Sequence, residues 1–411
     1  MIKKNNFFQN FFVNSKIYNK NLSKTKNLFS SFKKDLNNQK IPLLESYTKN
    51  YKFKFSNNII KKYSKYNNII IIGIGGSVLG TKSIYSFFKK KTKKNFYFFD
   101  NLDSKLNYEY RKIKNLKNSC FIVISKSGNT LETIANLGII FSKKLLKNKL
   151  IIITEKKNNN LMNIGLNYNA EIIEHKNFIG GRYSIFSETC MLPAALMGLS
   201  LNEFKNINKL IKNKNFVSSL TKNVASIYTL YEKNINNSIL FSYNSVLNDL
   251  GYWYQQLTAE SLGKRGNGIN PFLSFGPKDH HSLLQLYLDG PKDKFFTFFN
   301  LSSKKENIKI SKNIILKDMN FIKNESLKSI INTQLDAVKS IFKLKKIPFR
   351  QINFKMGDEK EFGEVITFFV LETILLSRLL NVNPFNQPAV EEVKVLTKKN
   401  LISKKHPKKN F

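Results

Sequence analysis

The sequence contains few cysteines and histidines, and this scarcity excludes several classes of protein. Its 411 residues include two cysteines, Cys120 and Cys190, which are too few for a disulfide framework and fit a reducing compartment. They do not form a Cys-x-x-Cys pair, and four histidines are few for a metal site. The sequence therefore indicates neither a disulfide-stabilised domain nor a metal centre.

Long apolar runs are also lacking. The strongest candidate for a membrane span, residues 365–380, carries Glu372 and Arg378, so we interpret it as a core helix. Near the N-terminus, Asn and Gln interrupt the aromatic residues, so no apolar core of signal-peptide length is present. We expect a soluble, cytoplasmic protein with no membrane partner.

Acidic residues are scarce: 28 Asp and Glu stand against 68 Lys and Arg, for a net charge of +40. Nucleic-acid binding would explain this excess, because basic side chains neutralise phosphates and release counterions. The lysines, however, are spread along the whole chain, and only five of the basic residues are arginine. Lysine is enriched together with Asn, Ile, Phe and Tyr, all encoded by AU-rich codons. We therefore attribute the charge to compositional drift and consider nucleic-acid binding unlikely.

Short β-branched or aromatic runs alternate with helical stretches along the chain. Such alternation predicts βαβ units, parallel sheets and an α/β fold. The chain is long enough for two or three domains, and the strands fall into two series of similar size, followed by a helix-rich region from about residue 325. The predicted strands are 69–72, 96–99, 120–124, 150–154, 239–243 and 294–301, with helices from 79, over 131–146 and over 246–262.

Two loops follow predicted strands and precede predicted helices. In Gly-Ile-Gly-Gly-Ser at 73–77, glycines let backbone N–H groups approach an anion at a helix N-terminus. A dinucleotide fingerprint is the alternative, supported by Asp100 after the next strand, but it needs glycine where Val78 stands. In Ser-Lys-Ser-Gly-Asn-Thr at 125–130, three hydroxyls and one ammonium form a donor set for a phosphate monoester. An ordinary turn with a helix cap at position 129 or 130 is the alternative, but two such loops at the carboxyl ends of parallel strands favour a ligand site.

An acidic residue lies on an apolar helical stripe. Leu250, Trp253, Leu257 and Glu260 are spaced by three, four and three residues and so share one face. Desolvation on that face would make the carboxylate a competent general base near neutral pH. A solvent-exposed ion pair with the basic residues at 264–265 explains the pattern equally well.

Two further features carry chemistry. The adjacent histidines at 280–281 could ligate a metal, but apart from Asp279 no acid or cysteine nearby has metal-site spacing, so we favour an acid–base histidine. Arg182 lies in a glycine turn, where its fixed charge could brace the loop or offset a developing negative charge.

Six motifs occur in one order along the chain and together resemble the phosphoglucose isomerase family from about residue 69 to 394. They are GIGGS (73–77), SKSGNTLET (125–133), GGRYS (180–184), QQLTAESLGK (255–264), DHHS (279–282) and NPFNQPAVEEVK (383–394).

The resemblance implies two sugar-isomerase domains, each a parallel β-sheet flanked by helices in a three-layer sandwich, with helical N- and C-terminal extensions. It implies a homodimer with shared active sites, a sugar phosphate substrate and no cofactor. The expected parts are an N-terminal arm with short helices at 1–45, a first domain at 46–190, a second domain at 191–385, and a C-terminal helix with a basic tail at 386–411.

The resemblance also implies roles for individual residues. Glu260 would move the proton between C1 and C2 of the sugar, and Arg182 would stabilise the cis-enediolate. His281, contributed by the partner subunit, would help to open the sugar ring, and Glu132 would orient it. Lys394, seven residues after Gln387, would handle the ring oxygen or a hydroxyl. The residues expected to hold the substrate and its phosphate are Gly76, Ser77, Ser125, Lys126, Ser127, Thr130 and Gln387.

Departures from the family pattern are modest. Ser127 stands where many members have threonine, which keeps the hydroxyl, and Ile185-Phe186 stands where a tryptophan is common. The double histidine leaves a choice, and we assign His281 because Ser282 follows it. The alternatives to an isomerase of glucose 6-phosphate are a sugar-phosphate sensor that lost catalysis and an enzyme that also acts on mannose 6-phosphate.

Overall fold

A computed structural model describes residues 7–13, 15–141, 149–301, 308–313, 318–355 and 357–405 of the chain. The last part of the helix predicted over 131–146 lies outside these residues, because 142–148 are not among them. Within the described residues, the strands, β1 to β10 in chain order, are Phe7–Asn10, Asn68–Ile72, Asn95–Phe99, Ser119–Ile124, Leu150–Thr154, Glu171–Glu174, Asn237–Ser242, Asn270–Phe275, Lys294–Leu301 and Phe349–Phe354.

The helices alternate with the strands through most of the chain and are joined by short 3₁₀ turns. Among the described residues the helices, α1 to α14 in chain order, are Lys16–Asn37, Asn57–Ser64, Leu79–Phe88, Leu106–Arg111, Leu131–Ile140, Asn160–Asn167, Glu188–Leu196, Ile207–Leu210, Lys214–Tyr231, Asn248–Leu262, Leu284–Asp289, Leu327–Leu344, Glu359–Leu379 and Ala389–Lys405.

The strands form two five-stranded sheets. The first sheet has the order β3-β2-β4-β5-β6, and all its pairs are parallel. The second has the order β1-β10-β9-β7-β8 and is parallel except for β1, which pairs antiparallel with β10. The predicted α/β fold with parallel sheets is therefore confirmed.

Both faces of each sheet are buried. Along β2, Ile69 and Ile71 belong to one core cluster while Ile70 and Ile72 belong to another, and all four are fully buried. Along the second sheet, Phe295 and Phe299 of β9 likewise pack on the side opposite to Phe296 and Phe298. Parallel strands covered on both faces carry near-continuous apolar runs, which is why the isoleucine run at 69–72 was recognisable as a strand. The three-layer arrangement is confirmed.

The N-terminal segment is more regular than the short helices expected there. Strand β1 adds an edge to the second sheet, and α1 is one helix of 22 residues. Ser15 caps its first turn by accepting a hydrogen bond from the backbone of Tyr18, and Phe29 and Phe32 are buried. Because α1 packs against α9, the segment belongs to the packed body of the chain.

The residues proposed as a core helix form α13, which is buried along nearly its whole length. In the described part of the chain, no helix is long and apolar enough to cross a membrane. Glu372 of α13 forms a fully buried ion pair with Arg350 of β10. Tyr254 of α10 donates a hydrogen bond of 3.0 Å to the same carboxylate, so this network ties α10 to the second sheet.

Replacing Glu372 with glutamine is expected to lower the free energy of unfolding by about 3–5 kcal/mol, because it leaves the buried guanidinium of Arg350 without a counter-ion. Chemical denaturation of both proteins measures this loss. Glu109→Gln removes an exposed pair with Lys112 and is the matched control, which should unfold like the parent. Equal stability of the two variants would contradict the assigned role of the buried pair.

Candidate functional site

The two glycine- and serine-containing loops lie side by side at the carboxyl edge of the first sheet. The loop at 73–77 follows β2, and the loop at 125–130 follows the neighbouring strand β4. A Cβ atom on Gly73 would lie 2.9 Å from the carbonyl oxygen of Ile124, so the start of the first loop packs closely on the end of β4. Ser77 is half-buried in the 3₁₀ turn that leads into α3. Asp100, the acid that a dinucleotide site would use, is instead 3.0 Å from the ammonium of Lys82.

The hydroxyls of the second loop converge. The Oγ atom of Ser125 lies 2.7 Å from Oγ1 of Thr130 and 3.5 Å from Oγ of Ser127, and it accepts a hydrogen bond of 3.1 Å from the backbone of Gly128. Thr130 precedes α5 but forms no side-chain cap. The side-chain oxygen of Asn129 accepts a hydrogen bond from the backbone of Asn160 instead of capping the helix. The arrangement favours a donor set for an anion over an ordinary helix cap.

Lys126 adds a positive charge to this loop. Its ammonium donates a hydrogen bond of 2.6 Å to the carbonyl oxygen of Asn177 and lies 3.8 Å from the carboxylate of Glu155. Burial lowers the pKa of Lys126, and Glu155 counteracts that effect.

The turn at 180–184 packs directly on the first loop. A Cβ atom on Gly76 would lie only 2.6 Å from the backbone nitrogen of Arg182, and the hydroxyl of Ser184 donates a hydrogen bond of 3.2 Å to the carbonyl oxygen of Gly76. This close backbone approach explains why glycine is needed at position 76. It also places Arg182 beside the loop.

Replacing Gly76 with alanine is expected to separate these two backbone segments. The variant should unfold at a lower temperature, because the added methyl group would overlap the backbone at 181–182. Thermal unfolding of both proteins measures this effect. Gly138→Ala is the matched control: nothing lies within 4 Å of the added Cβ atom, and alanine favours the helix. A Gly76 variant that behaves like this control would rule out the steric argument.

Arg182 is buried and connects three parts of the chain. Its Nη1 donates hydrogen bonds of 2.9 Å to the carboxylate of Glu260 and to the side-chain oxygen of Gln387, and its Nε donates one of 2.9 Å to the hydroxyl of Ser261. The guanidinium is only 1% exposed. Glu260 of α10 and Gln387 before α14 are thus held on one side chain.

The second terminal nitrogen of Arg182 binds the backbone before α14. Nη2 donates hydrogen bonds to the carbonyl oxygens of Pro384 and Asn386, and Tyr183 donates one of 3.1 Å to the carbonyl oxygen of Pro384. A guanidinium has five N–H donors, and the five bonds to this chain match that number. Arg182 therefore braces the site, and it also lies beside the carboxylate of Glu260. Its role toward a developing negative charge stays a prediction.

Glu260 differs from the desolvated acid that the apolar stripe suggested. Leu250, Trp253 and Leu257 are buried as expected, but the side chain of Glu260 remains 33% exposed. Its partner is Arg182, whereas the ammonium of Lys264 binds the backbone carbonyl of Glu260 at 2.6 Å. The stripe ends at the edge of the core, where a polar cluster replaces apolar packing.

Gln256, Ser261 and Lys264 belong to the site but were missed in the sequence. Gln256 donates a hydrogen bond of 2.8 Å to Glu260, which is one helical turn further on, and its amide packs against Gly75 of the first loop. Burial, together with nearby Arg182, lowers the pKa of Lys264 to about 8. The four-residue spacing of Gln256 and Glu260 was the available signal.

A cavity of about 770 Å³ adjoins Glu260. Residues 259–260, 263–265, 381–383 and 386–390 line it, among them Lys264 and Gln387. The carboxylate is therefore accessible to a small molecule.

The two histidines have different surroundings. The ring of His280 lies 2.5 Å from the hydroxyl of Tyr243, and burial lowers the pKa of His280. His281 is exposed. Asp279 accepts hydrogen bonds from Ser274, Phe275 and Ser282, which holds this turn in place. Across the described residues, no group of three or more His, Cys, Asp or Glu side chains is arranged to hold a metal ion.

Three predicted residues are not joined to Glu260 by any contact within the described part of one chain. Glu132 is half-buried in the first turn of α5. Lys394 of α14 is exposed and lies 2.6 Å from Glu391 of the same helix. His281 faces solvent. The structure thus brings together Arg182 and Glu260 with Gln387 and the loop at 73–77, but leaves these three residues apart.

Comparisons with known proteins agree with this architecture. A profile described as "Phosphoglucose isomerase" matches residues 47–282. A glucose-6-phosphate isomerase of Methanocaldococcus jannaschii is 34% identical over 344 residues, 81% of this chain and 84% of that protein. One from Campylobacter jejuni is 30% identical over 352 residues, 82% of this chain and 86% of that protein.

Solved structures share the fold. A hypothetical protein from Thermus thermophilus matches with a TM-score of 0.80 and 22% identity over 96% of this chain and 99% of its own. A glucose-6-phosphate isomerase from Chlamydia trachomatis matches with a TM-score of 0.69 and 19% identity over 85% of this chain and 73% of its own.

The fold and the loops define an α/β protein with two loops of glycine and hydroxyl residues at the carboxyl edge of its first sheet, and with a carboxylate beside the first of them. Over half of the chain matches the family profile, and the relatives are similar across most of its length. The chain belongs to the phosphoglucose isomerase family.

Proposed function

We propose that this protein interconverts glucose 6-phosphate and fructose 6-phosphate through ring opening and a cis-enediol intermediate, in glycolysis and gluconeogenesis. The observation that supports this most directly is the carboxylate of Glu260, held 2.9 Å from Nη1 of Arg182, whose turn packs against the loop at 73–77. The named activity of the relatives agrees with it.

In the proposed mechanism, the loop at 125–130 and residues Gly76 and Ser77 hold the phosphate and the sugar. Glu260 removes the proton from C2 of the open-chain aldose, the C1–C2 double bond forms as the C1 carbonyl π bond breaks, and the C1 oxygen takes a proton from water. Glu260 then returns its proton to C1, while the C2 hydroxyl gives its proton to water and becomes the carbonyl. Arg182 offsets the negative charge that develops on oxygen, and Gln387 contributes to substrate binding. No cofactor is needed.

We further propose a cytoplasmic homodimer in which His281 of one subunit, oriented by Glu132 of the other, helps to open the ring together with Lys394. Two observations support it: His281 is exposed, and α14 is exposed at every position from 389 to 404. Apolar side chains on that helix, including Val393 and Leu396, are more than half exposed. Light scattering should give the mass of a dimer; a monomer at working concentration would contradict this arrangement.

The division at residues 46, 191 and 386 also remains a proposal. It is supported by the two sheets, whose parallel strands span 68–174 and 237–354. Because Met191 is fully buried inside α7, limited proteolysis should separate the two domains in the turn at 198–203 that follows this helix.

Conversion of fructose 6-phosphate to glucose 6-phosphate tests the proposed function. Glucose 6-phosphate is detected by the reduction of NADP⁺ by an added dehydrogenase, and calorimetry measures substrate binding in parallel. We expect turnover and binding together. Binding without turnover would indicate a sensor, and neither would refute the proposal.

A further inference from the structure

The segment at 154–161, which begins at the end of β5, is hydrogen-bonded to the loop at 125–130. The backbone of Glu155 donates a hydrogen bond of 3.0 Å to the carbonyl oxygen of Lys126, and that of Leu161 donates one of 3.1 Å to the carbonyl oxygen of Gly128. A Cβ atom on Gly128 would lie 2.8 Å from Cβ of Asn159. The conformation of the loop is therefore set by the chain that follows β5.

Glu155, in this segment, places a negatively charged carboxylate close to the loop at 125–130. The carboxylate of Glu155 is only 13% exposed and lies 3.8 Å from the ammonium of Lys126. Its other oxygen forms an ion pair with Lys157. The ammonium of Lys126 is thus placed between this carboxylate and the carbonyl oxygen of Asn177.

The remaining charged groups around Lys126 oppose its protonation. Lys157 and Arg182 are close enough to lower the pKa of Lys126, in addition to the effect of burial. His175 lies behind the loop, and burial lowers its pKa to about 4, so it is neutral near pH 7. Glu155 is the acid that favours the charged form of Lys126.

We propose that Glu155 is a positioning residue, which keeps Lys126 protonated and directed so that it can bind the phosphate of the sugar substrate. This inference rests on the proposed function. A lone carboxylate at this distance would also repel a phosphate dianion, but Lys157 neutralises its second oxygen. The Glu155–Lys157 pair therefore supports the ammonium without adding net negative charge beside the ligand.

The test is the pH dependence of KM for fructose 6-phosphate between about pH 6.5 and 9.5 in the full-length protein. In Glu155→Gln, Lys126 should lose its proton at lower pH, because the neighbouring anion is gone. We expect KM to match the parent near pH 6.5 and to exceed it by about tenfold near pH 9, with kcat at saturation nearly unchanged, since a pKa change of one unit is a tenfold effect.

Three variants separate this role from simple support of the loop. Glu155→Asp should restore the parental profile. Lys157→Met, at an exposed position, should shift the rise in KM to higher pH, opposite to the effect of Glu155→Gln. Glu203→Gln, which removes a carboxylate 4.0 Å from the exposed Lys49, should leave KM unchanged at every pH. Parallel profiles of KM against pH for the parent and Glu155→Gln would overturn the inference.

A failure of the proposed isomerase function can be distinguished from a failure of the role proposed for Glu155. If the parent protein does not turn over fructose 6-phosphate, the isomerase assignment fails. Calorimetric titration of the same sugar phosphate into the parent and Glu155→Gln at both pH values then measures the role of Glu155 directly. Equal ratios of Kd at the two pH values would overturn it.

Discussion

Replacing Glu260 with glutamine is expected to reduce kcat by a factor of about 10² to 10⁴, the range typical for loss of a general base. Glutamine is nearly isosteric with glutamate and can still accept a hydrogen bond from Arg182, so the site should keep its shape. Because the loops at 73–77 and 125–130 are unchanged, fructose 6-phosphate should bind with nearly parental affinity. The coupled assay measures kcat, and calorimetry measures Kd.

The control for this substitution is Glu203→Gln, which changes the same chemical group at an exposed surface pair. It should leave both kcat and Kd as in the parent. Exchange of the substrate C2 proton with solvent adds an independent measurement, since it should stop in the Glu260 variant. Near-parental turnover by Glu260→Gln would remove this residue from the role of base.

Replacing Arg182 with methionine is expected to lower both the stability and the activity of the protein. It would leave Glu260, Ser261 and Gln387 without their shared donor, together with two backbone carbonyls before α14. Removing one partner of a buried charged network costs about 3–5 kcal/mol. The segment that carries α14 should detach from α10, and isomerase activity should fall by more than an order of magnitude.

Arg182→Lys distinguishes the effect of the positive charge at position 182 from the effect of the planar arrangement of its donors. Lysine keeps the positive charge but has three donors, which cannot reach five acceptors arranged around a planar fork. We expect it to recover part of the stability and little of the activity. Arg111→Lys, at an exposed position, is the matched control and should resemble the parent. Full activity in Arg182→Lys would show that charge alone suffices.

The strands recognised from the sequence share one property, which is a continuous apolar run. The run at 120–124, for example, lies within the fully buried β4, because central parallel strands have no polar face. The strands that were missed lack such a run. Strand β6 is a short edge strand with a glutamate at each end, and β8 contains Pro271, which an edge strand tolerates.

Strand β10 was missed for another reason. It lies inside the region expected to be helix-rich, and it carries Arg350 at a fully buried position. A charged residue argues against a central strand unless a partner neutralises it. That partner, Glu372, lies 22 residues later on α13, and sequence spacing does not reveal the pairing.

The candidate site, too, has some features that the local sequence predicted and others that it did not. Local sequence predicted the two loops, because glycine and hydroxyl residues between a strand and a helix are typical of a turn that can present N–H and O–H donors. The helical spacing that placed Glu260 on the apolar face was correct up to Leu257. Its ion pair with Arg182 was not foreseen, because the two residues are 78 positions apart.

The sequence by itself determined the α/β class and the strand ends that carry the two loops, since each depends on residues within a few positions of one another. Only the tertiary structure decided which charged side chains lie close enough to interact. The pairing of Arg182 with the segment before α14, and of Glu155 with Lys126, arises from chain segments brought together at the edge of the sheet. The energy of a charge depends on what surrounds it in space.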